Sequence, residues 1–341
     1  MQDRILVIRL SAMGDVAMTV PVLSALERQH PEVRVILLSR KRFKPLFRTL
    51  KNVEFVEAQV QQEHKGPLGL YRLSRQLKKR TPTAIADLHD SLRSRVLKTL
   101  LDLPAQTIDK LRSQRKALVN GTRSVDNDLP SVLSRYANVF YELGYPVVPG
   151  PADLLARSPM PDDIDQDPSK RWVGFAPFAA HGGKSYPVDL CEQLLKQLSN
   201  CKVQVLLFGG PDDRTQYELW EQQFEHVTSL AGRFYMEQEL CAISNLDAMI
   251  SMDSGNGHLA ALHGIPTITV WGITHPAMGF APFLQPKENQ LVADLEKFPK
   301  VPTSAYGNKM PDGYENAIRS VTPARIITRL EQILGSTDTT D

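Results

Sequence analysis

Residues 247–271 read DAMISMDSGNGHLAALHGIPTITVW, and this stretch constrains the fold more than any other part of the chain. Residues 247–251 are mainly apolar and short enough for a buried strand. A Gly-containing turn follows, then small apolar residues at 259–263 that suit a closely packed helix, then a β-branched strand at 267–271. Strand, turn, helix and strand in this order imply parallel strands joined by a crossover helix. The turn aims unpaired backbone N–H groups and the positive end of a helix dipole at one point, where an anion, most simply a phosphate, can bind. Asp253 and His258 flank it and can hold hydroxyls or complement the phosphate charge. A plain tight turn is the competing interpretation.

The same alternation runs along the whole chain. Strand patterns at 4–10, 33–38, 53–56 and 84–88 alternate with helical ones reaching to about 29 and over 42–50, 68–79 and 92–101. Between Pro146 and Pro168 the pattern stops; six prolines and several acidic residues mark a linker. A second series follows, with strands at 172–176, 202–208, 227–230, 248–252 and 267–271 and helices at 188–198, 214–224 and 236–244. Residues 323–334 read as a terminal helix and 335–341 as a disordered tail. The expectation is an α/β chain of two doubly wound domains. In open sheets of this kind ligands bind beyond the carboxyl ends of the strands.

A length of 341 residues fits two such domains, and 42% hydrophobic with 23% charged residues is ordinary for a globular protein. No apolar run approaches the ~20 residues of a membrane span, and the opening MQDRILVIRL begins a strand rather than a signal peptide. Cys191, Cys201 and Cys241 are isolated thiols without CxxC spacing, which points to a reducing cytoplasm and away from disulfides or zinc. The net charge of +2 hides an asymmetry: residues 1–125 carry 24 Lys and Arg against 11 Asp and Glu. Solvated helix faces explain Lys78-Lys79-Arg80. The cluster Arg93, Arg95, Lys98, Lys110, Arg112, Arg115 and Lys116 falls around successive strand ends and suits an acidic small molecule or a glycolipid headgroup. No aromatic-interleaved basic motif speaks for nucleic acid.

Three further turns can carry chemistry. Ser11-Ala12-Met13-Gly14-Asp15 lies after the first strand; it has one glycine, so the GxGxxG dinucleotide fingerprint is absent. Asp15 is either a helix N-cap or a general base, and Arg9 either complements an anionic substrate or simply alternates outward. Ala179-Ala180-His181-Gly182-Gly183-Lys184 follows the first strand of the second series without P-loop spacing; Lys184 can reach a phosphate, and His181 can be a plain loop residue. Gly209-Gly210-Pro211-Asp212-Asp213 ends another strand, where Asp213 can accept from ribose hydroxyls or an adenine amine, or cap the next helix. His258 and His263 are poorly spaced for two metal ligands on one helical face, no acidic pair sits in a suitable loop, and GxSxG is missing, so no metal and no cofactor is expected.

Taken together, RILVIRLSAMGDVAMTVPVLSAL at the start, the Gly-Gly-Pro-Asp-Asp turn and ISMDSGNGHLAALHGIPTITVWG near the end resemble glycosyltransferase family 9, the ADP-heptose:lipopolysaccharide heptosyltransferases and their relatives. The resemblance implies a GT-B architecture of two Rossmann-like domains facing across a cleft. An acceptor-binding domain would span 1–155, a nucleotide-sugar-binding domain 156–320, and a terminal helix at 321–335 would pack back on the first domain. It further implies that Asp15 is the catalytic base and that Lys184 contacts the donor diphosphate. Asp213 would lie near the donor nucleoside, while Asp253, Ser254, Gly255 and His258 hold the sugar and phosphates. Arg9, Arg93, Arg112 and Arg115 are the candidates for an anionic acceptor. Ala179-Ala180 stand where relatives often carry hydroxyls, Asp213 is shorter than the more usual Glu, and the resemblance does not place 300–316. The implied reaction is metal-independent, inverting transfer of a heptose or related sugar from a nucleotide sugar such as ADP-heptose to a lipopolysaccharide core or similar anionic glycan. It would take place in the cytoplasm or at the inner face of the plasma membrane. An epimerase acting on a nucleotide sugar, and a non-catalytic nucleotide-sugar or glycan-binding protein, are the alternatives.

Overall fold

The computed structural model describes residues 3–164, 167 and 169–337. The chain divides into two compact units: one runs to Lys110 and resumes over Val132–Leu155, and the other takes Leu111–Ser131 and the chain from Ala156 onward. The first unit holds β1 (Arg4–Ile8), α1 (Met13–Ala17), α2 (Thr19–Gln29), β2 (Arg34–Ser39), β3 (Val53–Glu57), α3 (Gly66–Lys78), β4 (Ala84–Asp87), α4 (Leu92–Leu101) and β5 (Ala105–Thr107). Next along the chain, α5 (Arg112–Val119) belongs to the second unit and α6 (Val132–Glu142) to the first.

In the first unit the strands pair in the order β3-β2-β1-β4-β5, every pair parallel. Both faces of these strands are buried, and the period of two shows in which residues join which core: Leu6, Ile8, Ile36, Leu38 and Ile85 share one core with Leu70, Leu73 and Leu77 of α3 and Leu97 of α4. The helix expected at 42–50 is a 3-10 segment, Lys41–Phe47; Pro45 inside it removes a backbone donor that an α-helix needs. Within 146–168, Asp153 is buried and tied to Arg28 Nη2 at 2.8 Å, so this stretch is pinned rather than loose. Pro168 lies outside the described residues.

The second unit continues with β6 (Arg171–Ala176), α7 (Val188–Leu198), β7 (Val203–Leu207), α8 (Arg214–Gln223), β8 (Val227–Ser229), α9 (Met236–Ile243), β9 (Ala248–Met252), α10 (Gly255–Leu262), β10 (Thr267–Trp271), β11 (Gln290–Val292) and α11 (Pro323–Thr337). Its sheet order is β11-β10-β9-β6-β7-β8, again all parallel, which is the Rossmann arrangement with the chain reversing direction between β6 and β9. Tyr217 and Trp220 of α8 stack with Phe178 at centroid distances of 5.6 and 5.9 Å and are themselves fully buried.

Residues 111–131 were expected in the first domain; instead Leu111, Leu118 and Leu129 bury against Met278, and the Leu129 N–H donates to the Ala277 carbonyl at 2.9 Å, all within the second unit. Ile326, Leu330 and Ile333 enter the second unit's core, with α11 lying on α7. Gly335 to Thr337, expected in the tail, continue this helix, and the rest of the tail lies outside the described residues. Leu330 is fully buried, so Leu330→Ala is expected to cost 2–5 kcal/mol, or about that, in denaturant unfolding followed by a probe in the second unit. An unchanged midpoint would show that α11 contributes nothing to that core.

Candidate active site

Parallel strands gather their carboxyl ends on one edge, and three adjacent strands of the second sheet, β10, β9 and β6, each send a polar group to that edge. Asp253 directly follows β9; Lys184 sits in the 3-10 turn Gly182–Lys184 beyond β6; Thr274 lies just beyond β10. Lys184 Nζ is 2.8 Å from Asp253 Oδ2, and the Thr274 hydroxyl donates to the same oxygen at 2.8 Å. Both charged side chains are mostly buried, at 15% and 11% exposure. Thr274 went unnoticed in the sequence; its place just past the TITVW strand is the signal that could have found it.

The segment 300–316, unassigned from sequence, holds this lysine. The Thr303 N–H donates to the Ile273 carbonyl at 2.9 Å and its hydroxyl to the Lys309 carbonyl at 2.6 Å. Gly307, at φ +74°, lies so close that a Cβ there would come within 2.3 Å of Lys184 Cδ. Glycine at 307 thus serves twice: it adopts a left-handed backbone and leaves room for the lysine stem.

Ser254 and Gly255 start α10, whose first-turn N–H groups open onto the edge where Asp253 lies. The Ser254 hydroxyl is buried with no hydrogen-bond partner, a donor suited to a phosphate oxygen. Gly257 lets α10 approach the sheet, because a Cβ there would lie 2.4 Å from Ser251 Oγ. His258 is buried on the same helix. Asp213 holds its own turn, accepting from the Gly210 N–H at 2.7 Å. His181 is an exposed loop residue.

In the first unit, Asp15 is neither an N-cap nor free. It lies in the first turn of α1 and accepts from the Ala12 N–H at 3.3 Å. The same Oδ2 is ion-paired with Arg9. Arg9, a candidate for acceptor contact, does not alternate outward: it is 7% exposed, donates to the Leu88 carbonyl at 2.6 Å and lies 5.7 Å from the Tyr136 ring centroid. Tyr136 in turn donates its hydroxyl to the Asp15 carbonyl at 3.2 Å. Asp15 keeps 24% of its side chain exposed, so solvent or substrate reaches it while Arg9 anchors it from beneath.

Beside this pair, β4 ends in Asp87, which is buried, ion-paired to Lys98 at 3.0 Å, and accepts from the N–H groups of His89 and Asp90. Burial pushes the His89 imidazole down to about 4, helped by Arg9 and Lys110 and opposed by Asp87 and Asp15. His89 is therefore neutral at physiological pH. The sequence reading missed it, although the DLHD run closes a strand at the edge where ligands bind.

The basic cluster does not stay together in one unit. Arg93 is exposed in the first turn of α4, whereas Arg112 and Arg115 belong to α5 in the second unit. Arg115 is buried, with its guanidinium 4.2 Å from the Phe280 ring centroid and 3.4 Å from both the Tyr306 hydroxyl and the Met278 carbonyl. Packing, not an open surface for an acceptor, takes up that side chain. Among the described residues no three His, Cys, Asp or Glu side chains gather so as to hold a metal ion.

Two parallel, doubly wound sheets in one chain define the GT-B class, and solved structures agree. A family 9 glycosyltransferase from Veillonella parvula matches with a TM-score of 0.78 at 17% identity, over 98% of each chain. The E. coli ADP-heptose LPS heptosyltransferase II matches with a TM-score of 0.72 at 19% identity, over 98% of this chain and all of that one (100%). Residues 70–309 match the family model described as glycosyltransferase family 9 (heptosyltransferase), and the chain belongs to that family. In sequence it is 26% identical to lipopolysaccharide heptosyltransferase 2 of Salmonella typhimurium, over 97% of this chain and 99% of that protein.

Two measurements test this geometry. Lys184→Ala is expected to weaken binding of inorganic pyrophosphate by ~10- to 100-fold in calorimetry, the worth of a charge-assisted hydrogen bond. Gly307→Ala is expected to weaken it in the same direction, while Gly313→Ala, with a similar φ of +83° but nothing within 4 Å, leaves it unchanged. Equal effects at 307 and 313 would reduce the first to backbone strain. The second measurement concerns His89, whose folded value of about 4 lies below its ordinary 6.5, so the unfolded chain protonates first. Stability is intact above pH 6.5 and falls as pH drops from there toward 4, with a slope approaching about 1.4 kcal/mol per pH unit. Denaturant melts of His89→Gln should lack that part of the acid limb; identical limbs would remove His89 from the account.

Proposed function

We propose that this protein transfers a heptose from ADP-heptose, or a closely related nucleoside diphosphate sugar, to a hydroxyl of a lipopolysaccharide core or similar anionic glycan, with inversion at the anomeric carbon. The observation that carries it is the Lys184–Asp253–Thr274 constellation at the start of α10, set where the second sheet reverses direction. The names of the relatives, which include lipopolysaccharide heptosyltransferase 2 and an ADP-heptose transferase, support the choice of donor and acceptor. Arg93 and Arg112 are the remaining acceptor cations, and Asp213 lies toward the nucleoside. Among the described residues no helix is long and apolar enough to cross a membrane. We assign the enzyme to the inner face of the membrane, where a lipid-linked acceptor would be met.

In this reading the acceptor oxygen attacks the anomeric carbon as Asp15 takes its proton. The new C–O bond forms while the bond to the diphosphate breaks, and the electron pair leaves with ADP. Arg9 acts beneath Asp15 as a positioning residue. Lys184 and the first N–H groups of α10 receive the growing charge on the leaving group, and they are already oriented before substrate arrives. Asp253 aims the lysine, and its other oxygen can accept from a sugar hydroxyl.

The test is transfer from ADP-heptose to a heptose-acceptor core oligosaccharide, followed by mass spectrometry. Asp15→Asn is the variant to use, because Asp15→Ala would strand the buried Arg9 guanidinium at a cost of about 3–5 kcal/mol. Asp15→Asn is expected to lower kcat by ~10²- to 10⁴-fold with ADP affinity unchanged. Wild-type turnover in that variant would remove Asp15 as the base. Isomerisation of the donor without an acceptor would replace the transferase reading by an epimerase.

A further inference from the structure

Helix α3 buries Leu70, Leu73 and Leu77 in the first unit's core, yet its opposite face is not simply polar. Leu68 is 62% exposed and Tyr71 51% exposed. Along the same outward face lie Lys65, Arg72, Arg75, Lys78 and Lys79, all exposed, and their side chains make no hydrogen bond or ion pair with another described residue. Some exposed arginines elsewhere are paired, as Arg95 is with Asp90, Arg214 with Glu218, Arg233 with Glu221 and Arg319 with Asp189, whereas α3 gathers five such cations on one face. Glu63, which precedes the helix, accepts from Gln76 Nε2 at 3.2 Å, and Glu54 is held by Arg80 at 2.7 Å.

The position of the apolar residues matters as much as their exposure. A crossover helix returns antiparallel to its strands, so it begins at the carboxyl edge of the sheet. Leu68 and Tyr71 occupy the first half of α3. Leu92, 80% exposed, begins α4, which packs beside α3. Three exposed apolar side chains thus sit toward the edge that carries Asp15, while four cations, Arg72, Arg75, Lys78 and Lys79, continue along α3 behind them. Large apolar side chains ringed by unpaired cations fit a bilayer whose headgroups are anionic: the cations meet lipid phosphates and the apolar groups enter the acyl boundary.

We propose that the outward face of α3, with Leu92, docks the first unit onto an anionic phospholipid bilayer and so presents the Asp15 edge to lipid-linked acceptors. The second half of that statement rests on the transferase reading; the docking itself does not. The cations supply long-range attraction, and Leu68, Tyr71 and Leu92 supply the contact that persists in salt. A soluble acidic protein would be served by the cations alone, with no use for the exposed leucines.

The full-length chain is to be floated with vesicles of phosphatidylcholine alone or mixed equally with phosphatidylglycerol, without any acceptor. Wild type is expected to float with the mixed vesicles only. Arg72→Glu/Arg75→Glu should lower the bound fraction about tenfold or more, and Leu68→Ser/Tyr71→Ser should make the remaining binding collapse on adding salt. Lys196→Glu/Lys202→Glu, an equal charge change in the second unit, is the control and should float as wild type does. No flotation of wild type, equal flotation with neutral vesicles, or variants indistinguishable from the control would each overturn the proposal. So would conversion of a dimer to a monomer by Leu68→Ser/Tyr71→Ser without loss of flotation, which would make the face a contact between copies. Transfer to a soluble core oligosaccharide should proceed normally in the α3 variants. If wild type fails at that transfer but floats as described, the function fails and the docking stands.

Discussion

Everything chemically interesting in this protein depends on one geometric constraint, that all strands in each sheet run parallel. Parallel strands deliver their carboxyl ends and the following helix N-termini to a single edge, so unpaired N–H groups and helix dipoles add there instead of cancelling. The reversal of chain direction beside β1 in the first sheet and beside β6 in the second leaves a gap between outgoing crossovers. Arg9–Asp15 and Asp87–Lys98 lie at such an edge in one unit, and Lys184–Asp253 in the other. The amino edge carries different work: Arg171 and Asp247 pair there at 3.1 Å and Asp247 also accepts from the Trp172 N–H at 2.6 Å, stapling two strand starts together.

Burial separates the pairs that matter from those that do not. Arg214–Glu218 and Arg319–Asp189 are exposed, and pairs of that kind contribute roughly 0–1 kcal/mol. Lys184–Asp253 and Arg9–Asp15 are mostly shielded from water, where an unpartnered charge would be costly and a partnered one is held in a fixed direction. The value of such pairs lies in orientation. A lysine whose ammonium is tied by Asp253 and whose stem is hemmed in by Gly307 needs little reorganisation when a diphosphate arrives.

Much of this was legible in the residues. The run DAMISMDSGNGHLAALHGIPTITVW folds as β9, α10 and β10, and Asp253 and Ser254 stand at the turn, because a short apolar run, a glycine-bearing turn and a small-residue helix admit few other outcomes. The 42–50 region misled because apolar spacing suggested a helix while Pro45 enforced a 3-10 segment. The roles of Arg9 and Arg115 were hidden for a different cause: a cation looks solvent-bound in sequence, and only a neighbouring carboxylate or ring in space reveals that it is buried.

From the chain alone came the elements that local chemistry dictates: two α/β series, a proline-rich break, parallel strands, and the turns that could meet an anion. Contacts distant in sequence decided the rest. Leu111, Leu118 and Leu129 joined the second unit, and Ile326, Leu330 and Ile333 joined its core, because each apolar face had to find a partner surface that no local pattern names. Thr274, Gly307 and His89 became part of the sites only when folding brought strand ends and loops from separate parts of the chain together. Short-range pattern selects an element's type, whereas the company it keeps depends on burial of complementary surfaces across the whole molecule.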